Sequence, residues 1–204
     1  MFTELNDSWL ESFDAFIFDC DGTLVDSMSA HFEAWEKVFK ELNINLPLSF
    51  LTPYNSIPSY IIGNDIVSKL NLNCSGEEIA DRKESLLFET EHTARELTPI
   101  SSIAKRYFGK KPMAVISGGV RKNVIKSLED TELLSYFEHV LTADDPFGAK
   151  DKPDIWLESA IRLKANPEKC LVFEDGEKGM HGARLAKMTV FDVRAILVET
   201  MKLA

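Results

Sequence analysis

The chain reads as an α/β protein: a parallel sheet flanked by helices, interrupted once, just after its first strand, by a helical insertion. Three features point there. Short apolar runs rich in β-branched and aromatic residues recur along the 204 residues. Segments of helical periodicity separate them, so that strand and helix alternate as parallel pairing requires. Between about residues 28 and 97 that alternation stops and helix follows helix.

The first strand is AFIF (15–18), ending at Asp19. Then come MSAHFEAWEKVFKEL (28–42), PSYIIGNDIVSKLNL (58–72) and SGEEIADRKESLLFETEHTAREL (75–97), all with helical patterning. The link LPLSFLTPYNSIP (46–58) carries prolines and reads as irregular, and no convincing strand interrupts this region. Alternation resumes with strand MAVIS (113–117), helix VRKNVIKSLEDTELLSYF (120–137), strand HVLTA (139–143), helix KPDIWLESAIRLKA (152–165), strand CLVFE (170–174), helix EKGMHGARLAKM (177–188) and strand TVFDV (189–193). The expected organisation is a core of residues 1–27 and 98–204 carrying a helical unit at 28–97. No internal repeat or low-complexity tract is present.

Composition narrows the partners. The chain is 45% hydrophobic and 27% charged, with no apolar run near the length of a membrane span. Net charge is −10 and the basic residues are scattered, which argues against nucleic acid or an acidic lipid surface. Cys20, Cys74 and Cys170 are odd in number and lack zinc or disulfide spacing, so a reducing compartment is expected. The N-terminal stretch MFTELNDSWLESFDAF has acids where a secretory signal has basic residues, and cytoplasmic location follows as the expectation. A monomer is expected, a weak dimer being the alternative.

The stretch FDCDGTLVDS (18–27) carries the chemistry. Ligands of a parallel sheet gather at the carboxyl ends of its strands, which is where Asp19 and Asp21 fall, and Gly22 and Thr23 let the chain turn there. Two acids one residue apart repel unless a cation shares their space, and hard oxygen ligands suit magnesium. A lone Asp-Gly pair is as often a solvated turn, so the short pattern leaves both readings open.

The longer string resembles the first motif of the haloacid dehalogenase-like hydrolases, written hDxDGTLxDS with h apolar. Three further motifs of that family have counterparts. MAVISGG supplies a hydroxyl at a strand end, Ser117, followed by Gly118 and Gly119, whose small size lets N–H groups face an anion. The family lysine precedes a helix in the pattern KPAPD; here the string is KDKPD, and counting back four residues from Asp154 reaches Lys150, while Lys152 keeps the adjoining proline. CLVFEDGEKGMHGARLAKM resembles the fourth motif and offers Glu174 and Asp175, with Gly176 where the family has serine.

The resemblance implies a Rossmann-like core and a mechanism. Asp19 matches the nucleophile that forms an aspartyl-phosphate, and Asp21 the general acid and base. Magnesium would be held by Asp19, the Asp21 carbonyl and Asp175, with Glu174 either a ligand or one layer behind. Ser117 and Lys150 would hold the transferring oxygens. Gly22, Thr23, Ser27, His31, Gly118 and Gly119 complete the implied substrate site. An insertion directly after the first motif is similar to the helical cap of the β-phosphoglucomutase-type branch, and His31 and Trp35 fall twelve and sixteen residues after Asp19 as that branch has them. A mutase of this branch grips a second phosphate with a cap arginine, yet no Lys or Arg occurs from 41 to 68. That favours a phosphatase of small phosphorylated metabolites, most similar to sugar phosphatases of the fructose-1-phosphate type, over a phosphosugar isomerase.

Overall fold

The computed structural model describes residues 5–54, 57–89 and 94–196. Residues 55–56 of the proline-bearing link and 90–93 of the third insertion helix lie outside them. In chain order the elements are α1 (Asp7–Glu11), β1 (Ala15–Phe18), β2 (Val25–Asp26), α2 (Met28–Glu41), α3 (Ser59–Leu70), α4 (Gly76–Glu89), β3 (Arg95–Glu96), α5 (Thr98–Tyr107), β4 (Met113–Ile116), α6 (Arg121–Asp130), β5 (His139–Leu141), α7 (Asp154–Arg162), β6 (Cys170–Glu174), α8 (Glu177–Leu185) and β7 (Thr189–Asp192). Among the described residues no helix is long and apolar enough to cross a membrane.

Strands β5-β4-β1-β6-β7 form one sheet in that order, each pair parallel. β1 lies in the middle: Phe16 sits opposite Met113 on one side and Leu171 on the other. A central strand covered on both faces must be apolar throughout, which is why AFIF shows no alternation and all four residues are wholly buried. Side-chain parity then sorts the core. Phe16, Phe18, Val115 and Phe173 face α5 and α6, meeting Ile100, Tyr107, Val124 and Leu128. Phe18 and Phe173 stack with ring centroids 4.7 Å apart. On the opposite face Ile17, Ala114, Ile116 and Val172 meet Ile155, Trp156 and Ala183 of α7 and α8.

Helices α2, α3 and α4 build a separate apolar centre from Ala34, Trp35, Val38, Ile62, Ile66 and Ile79, among others. α3 and α4 approach so closely that a Cβ on Gly63 would stand 2.1 Å from the Gly76 carbonyl oxygen, so both glycines are required by contact. The chain enters and leaves this unit through an antiparallel ribbon in which Val25 pairs with Glu96 and Asp26 with Arg95.

Several elements differ from the sequence reading: the helix expected over 120–137 ends at Asp130, and β2 was not expected. The region taken as free of strands ends in β3, a two-residue strand too short to show any periodicity and defined only by its pairing with β2. Helices α1 and α5 were not expected; α5 buries Ile100, Ile103, Ala104 and Tyr107 at helical spacing behind a Thr-Pro start.

Candidate active site

The carboxyl ends of β1, β4 and β6 meet at one rim, and each carries its polar residues just past the last apolar pair. Asp19 follows β1 directly and is 3% exposed, its N–H still donating to Phe173 O at 2.9 Å as the ladder ends. The chain then folds back on itself: the Cys20 carbonyl accepts from Leu24 and Val25 at 2.9 and 3.0 Å. Gly22 makes this possible twice over. Its φ is +86°, and a Cβ there would sit 2.6 Å from Asp175 Oδ2.

Lys150 reaches the rim from the loop before α7. Its ammonium is 2.5 Å from Asp19 Oδ1 and 2.5 Å from Glu174 Oε2, and the residue is buried. Two packing devices fix the loop: Trp156 Nε1 donates to the Lys150 carbonyl at 2.9 Å, and Gly182 leaves room for that carbonyl, which would lie 2.0 Å from a Cβ. Lys152, the other candidate, is exposed.

Asp19, Glu174 and Asp175 each place a carboxylate oxygen within 4.8 Å of the others. Glu174 Oε1 accepts from the Gly176 N–H at 2.9 Å, and Oε2 is ion-paired with the Lys150 ammonium at 2.5 Å. In contrast Asp19 Oδ2 and Asp175 Oδ1 are buried with no hydrogen-bond partner. Three carboxylates against one ammonium leave an excess of two negative charges. Orphaned oxygens and that excess fit a hard divalent cation. Burial first, then the charge of Glu174, push the Asp19 carboxyl up to about 7 against the pull of Lys150. Burial and the charge of Asp19 likewise push Asp175 to about 7. Burial also raises Glu174, and although burial opposes it, the two carboxylates hold the Lys150 ammonium above its usual pKa.

Asp21 faces a different set. Ser27 Oγ donates to its Oδ1 at 2.5 Å, Ser117 Oγ lies 3.2 Å from Oδ2, and His31 Nε2 stands 3.6 Å from Oδ1. Burial works to raise its pKa, but the His31 and Ser27 contacts and the charge of Lys83 outweigh it, holding the carboxyl well below the usual range. Ser27 occupies the N-cap of α2 without capping it; its hydroxyl is spent on Asp21. Ser117 Oγ accepts from the Gly119 N–H at 3.0 Å.

Asp19, Asp21, His31, Ser117, Gly118, Gly119 and Asp175 line one cavity between the sheet rim and the helical unit. Gly22, Thr23, Ser27, Lys150 and Glu174 do not line it, and Thr23 is wholly buried with an unpartnered hydroxyl. The far wall is apolar, from Phe32, Trp35, Leu51, Tyr54 and Ile62. Two charged residues there were missed in the sequence. Lys83, 1% exposed, lies 2.9 Å from His31 Nδ1 and donates to Glu84 Oε1 at 2.8 Å; Glu84 is itself 5% exposed. The signal was present: Lys83 and Glu84 fall four residues after Ile79 and Ala80, on the helix face that those residues bury.

Comparison with known proteins agrees with this geometry. A family model described as haloacid dehalogenase-like hydrolase matches residues 13–187. Fructose-1-phosphate phosphatase of Escherichia coli K12 is 29% identical over 186 residues, covering 91% of this chain and 99% of that protein. The 6-phosphogluconate phosphatase of the same organism is 28% identical over 87% of this chain and 81% of its own length. The crystal structure of β-phosphoglucomutase from Clostridium difficile superposes with a TM-score of 0.76 at 23% identity, covering 90% of this chain and 87% of that one, a likeness of fold. With the family model spanning most of its length and phosphatases among its relatives, the chain belongs to the haloacid dehalogenase-like hydrolases and is an enzyme of their phosphatase kind.

Proposed function

We propose that this enzyme is a magnesium-dependent phosphatase of small sugar phosphates working through an aspartyl-phosphate, with residues 28–97 as a cap over the site. One observation carries the reading: Asp19 ends the central strand with one oxygen on Lys150 and the other buried, unpartnered and facing the acidic cluster. In the first step an Asp19 oxygen attacks phosphorus, the ester P–O bond breaks, and the leaving alkoxide takes a proton from Asp21. In the second, Asp21 takes a proton from water as its oxygen attacks phosphorus, and the P–O bond to Asp19 breaks to release phosphate. His31, Ser27 and Lys83 favour the ionised form of Asp21; the negative charge of a phosphate beside it raises its pKa toward the protonated form that the first step needs.

Magnesium would be held by Asp19, Asp175 and the Asp21 carbonyl, with Glu174 one layer behind because Lys150 and Gly176 already occupy it. When bound, the ion supplies positive charge against which phosphate and carboxylate can approach. Lys150 and Ser117 orient the transferring oxygens, and Gly118 and Gly119 leave room for them.

Sugar specificity rests on the relatives and on the cap wall. Among the described residues Lys83 is the only Lys or Arg lining the cavity, and it is committed to His31 and Glu84, so no basic side chain there is free for a second phosphate. A neutral leaving group fits that wall, and an isomerase does not. The test is a panel of phosphate monoesters with magnesium, with and without chelator, on wild type and Asp19→Asn. Phosphate release lost on chelation and in the variant is the expected result. Turnover surviving in Asp19→Asn, or conversion of glucose 1-phosphate to the 6-phosphate without phosphate release, would overturn the reading.

A further inference from the structure

The cavity measures about 70 Å³, against the roughly 300 Å³ or more of pockets that hold small ligands. Its cap must therefore swing away for substrate to enter, and whatever touches across the gap is made and broken in each cycle. Among the described residues, two polar contacts beside the cavity cross from core to cap. One is His31 to Asp21 at 3.6 Å. The other involves no residue of the acidic centre: Asn123 of α6, 7% exposed, donates from Nδ2 to Glu84 Oε2 and lies 3.3 Å from the Glu84 carbonyl.

Glu84 is the hub of this second contact. Its Oε1 accepts from Ser59 of α3 at 2.5 Å and from Lys83 at 2.8 Å, and Lys83 reaches His31 Nδ1 at 2.9 Å. His31 turns its other ring nitrogen, Nε2, toward Asp21. Short polar contacts thus link Asn123, Glu84, Lys83 and His31, and His31 Nε2 stands 3.6 Å from Asp21 Oδ1 at the end of the row. When the cap opens, the middle of this row, Glu84, Lys83 and His31, draws away from Asn123 at one end and Asp21 at the other, and Glu84 is released from Asn123 to water. We propose that Asn123 is a positioning residue: by engaging Glu84 on closure it seats Lys83 and His31, and so Asp21, for proton transfer. The inference rests on the reading of Asp21 as acid and base.

The leaving group provides a readout that a loss of folding would not imitate. An alkyl ester needs a proton on its departing oxygen, whereas p-nitrophenolate departs without one. In Asn123→Ala, kcat on a sugar phosphate should fall about tenfold while kcat on p-nitrophenyl phosphate changes little. Asn123→Asp, which sets a second carboxylate against Glu84, should fall further on the sugar phosphate, and adding Glu84→Gln should restore part of the loss because the amide and carboxylate have exchanged places. Equal losses on both esters, no loss on either, or no rescue by the exchanged pair would overturn the proposal. If Asn123→Ala does not fold, the exchanged pair, which keeps side-chain shape, decides alone. Wild type inactive on every ester would instead sink the phosphatase reading, a distinguishable failure.

Discussion

Replacing Lys150 by methionine separates the buried ion cluster from ordinary packing. Methionine keeps the length and apolar stem of the side chain but leaves Asp19 Oδ1 and Glu174 Oε2, each 2.5 Å from the ammonium, without their partner. With the Lys150 and Glu174 side chains 2% and 0% exposed, water cannot take the place of the lost charge. Removing one member of such a pair costs about 3–5 kcal/mol, which in a chain of this size lowers Tm by roughly 10 °C. The deficit depends on pH. Asp19 in the folded protein titrates near 7, above its unfolded value, so whatever its protonation contributes is present at low pH and lost as pH rises through that value. Without Lys150 the carboxylates bind protons still more readily, and the deficit should be larger near about pH 8 than near about pH 6. Thermal melts of Lys150→Met and Lys152→Met in metal-free buffer measure this directly. Wild-type stability in Lys150→Met, an equal loss in Lys152→Met, or a deficit that shrinks as pH rises would refute the reasoning.

Gly22→Ala should cost about 1–2 kcal/mol from its left-handed backbone alone, and the new Cβ, 2.6 Å from Asp175 Oδ2, should displace that carboxylate. The magnesium-induced rise in Tm should then shrink; an unchanged rise would show that Asp175 does not hold the ion. Glu84 is buried, yet the Lys83 ammonium holds its pKa below the ordinary 4.5. Its contribution to stability is therefore complete above 4.5 and lost as pH falls through the lowered value. The melting gap between wild type and Glu84→Gln should narrow on acidification, and a widening gap would contradict the ion pair.

How much of this was legible depends on what sets each feature. Asp19 could be read because a fully buried strand is an unbroken apolar run, so an acid at the end of AFIF marks the sheet rim, whereas Glu174 and Asp175 after CLVF were picked out by resemblance to a family motif. Lys150 was reached by counting back four positions from Asp154 along the pattern KPAPD of the family that the chain resembles; the string KDKPD by itself left Lys152 equally open. Asn123 was not legible: within RKNVIKSLED it resembles any solvated helix residue, and only the docking of α4 against α6 buries it. Lys83 and Glu84 look like a charged surface pair unless the burial of Ile79 and Ala80 one turn earlier is followed through. Gly179 and Gly182 were part of a matched motif, but their physical reason came from three dimensions: a Cβ on the first would lie 2.3 Å from Glu174 Oε2, and on the second 2.0 Å from the Lys150 carbonyl.

The position of β1 in the sheet has a consequence for synthesis on the ribosome. The strand precedes both of its neighbours, Met113–Ile116 and Cys170–Glu174, by long stretches of chain, so both of its edges stay bare until those later segments have been made. A nascent chain in that state offers AFIF to any passing strand, and a chaperone that shields it acts on the same segment that later presents the nucleophile. Pairings so distant in sequence also favour slow folding. No N-terminal fragment that stops short of Asp175 can assemble the acidic centre, which makes premature termination products inert rather than partly active.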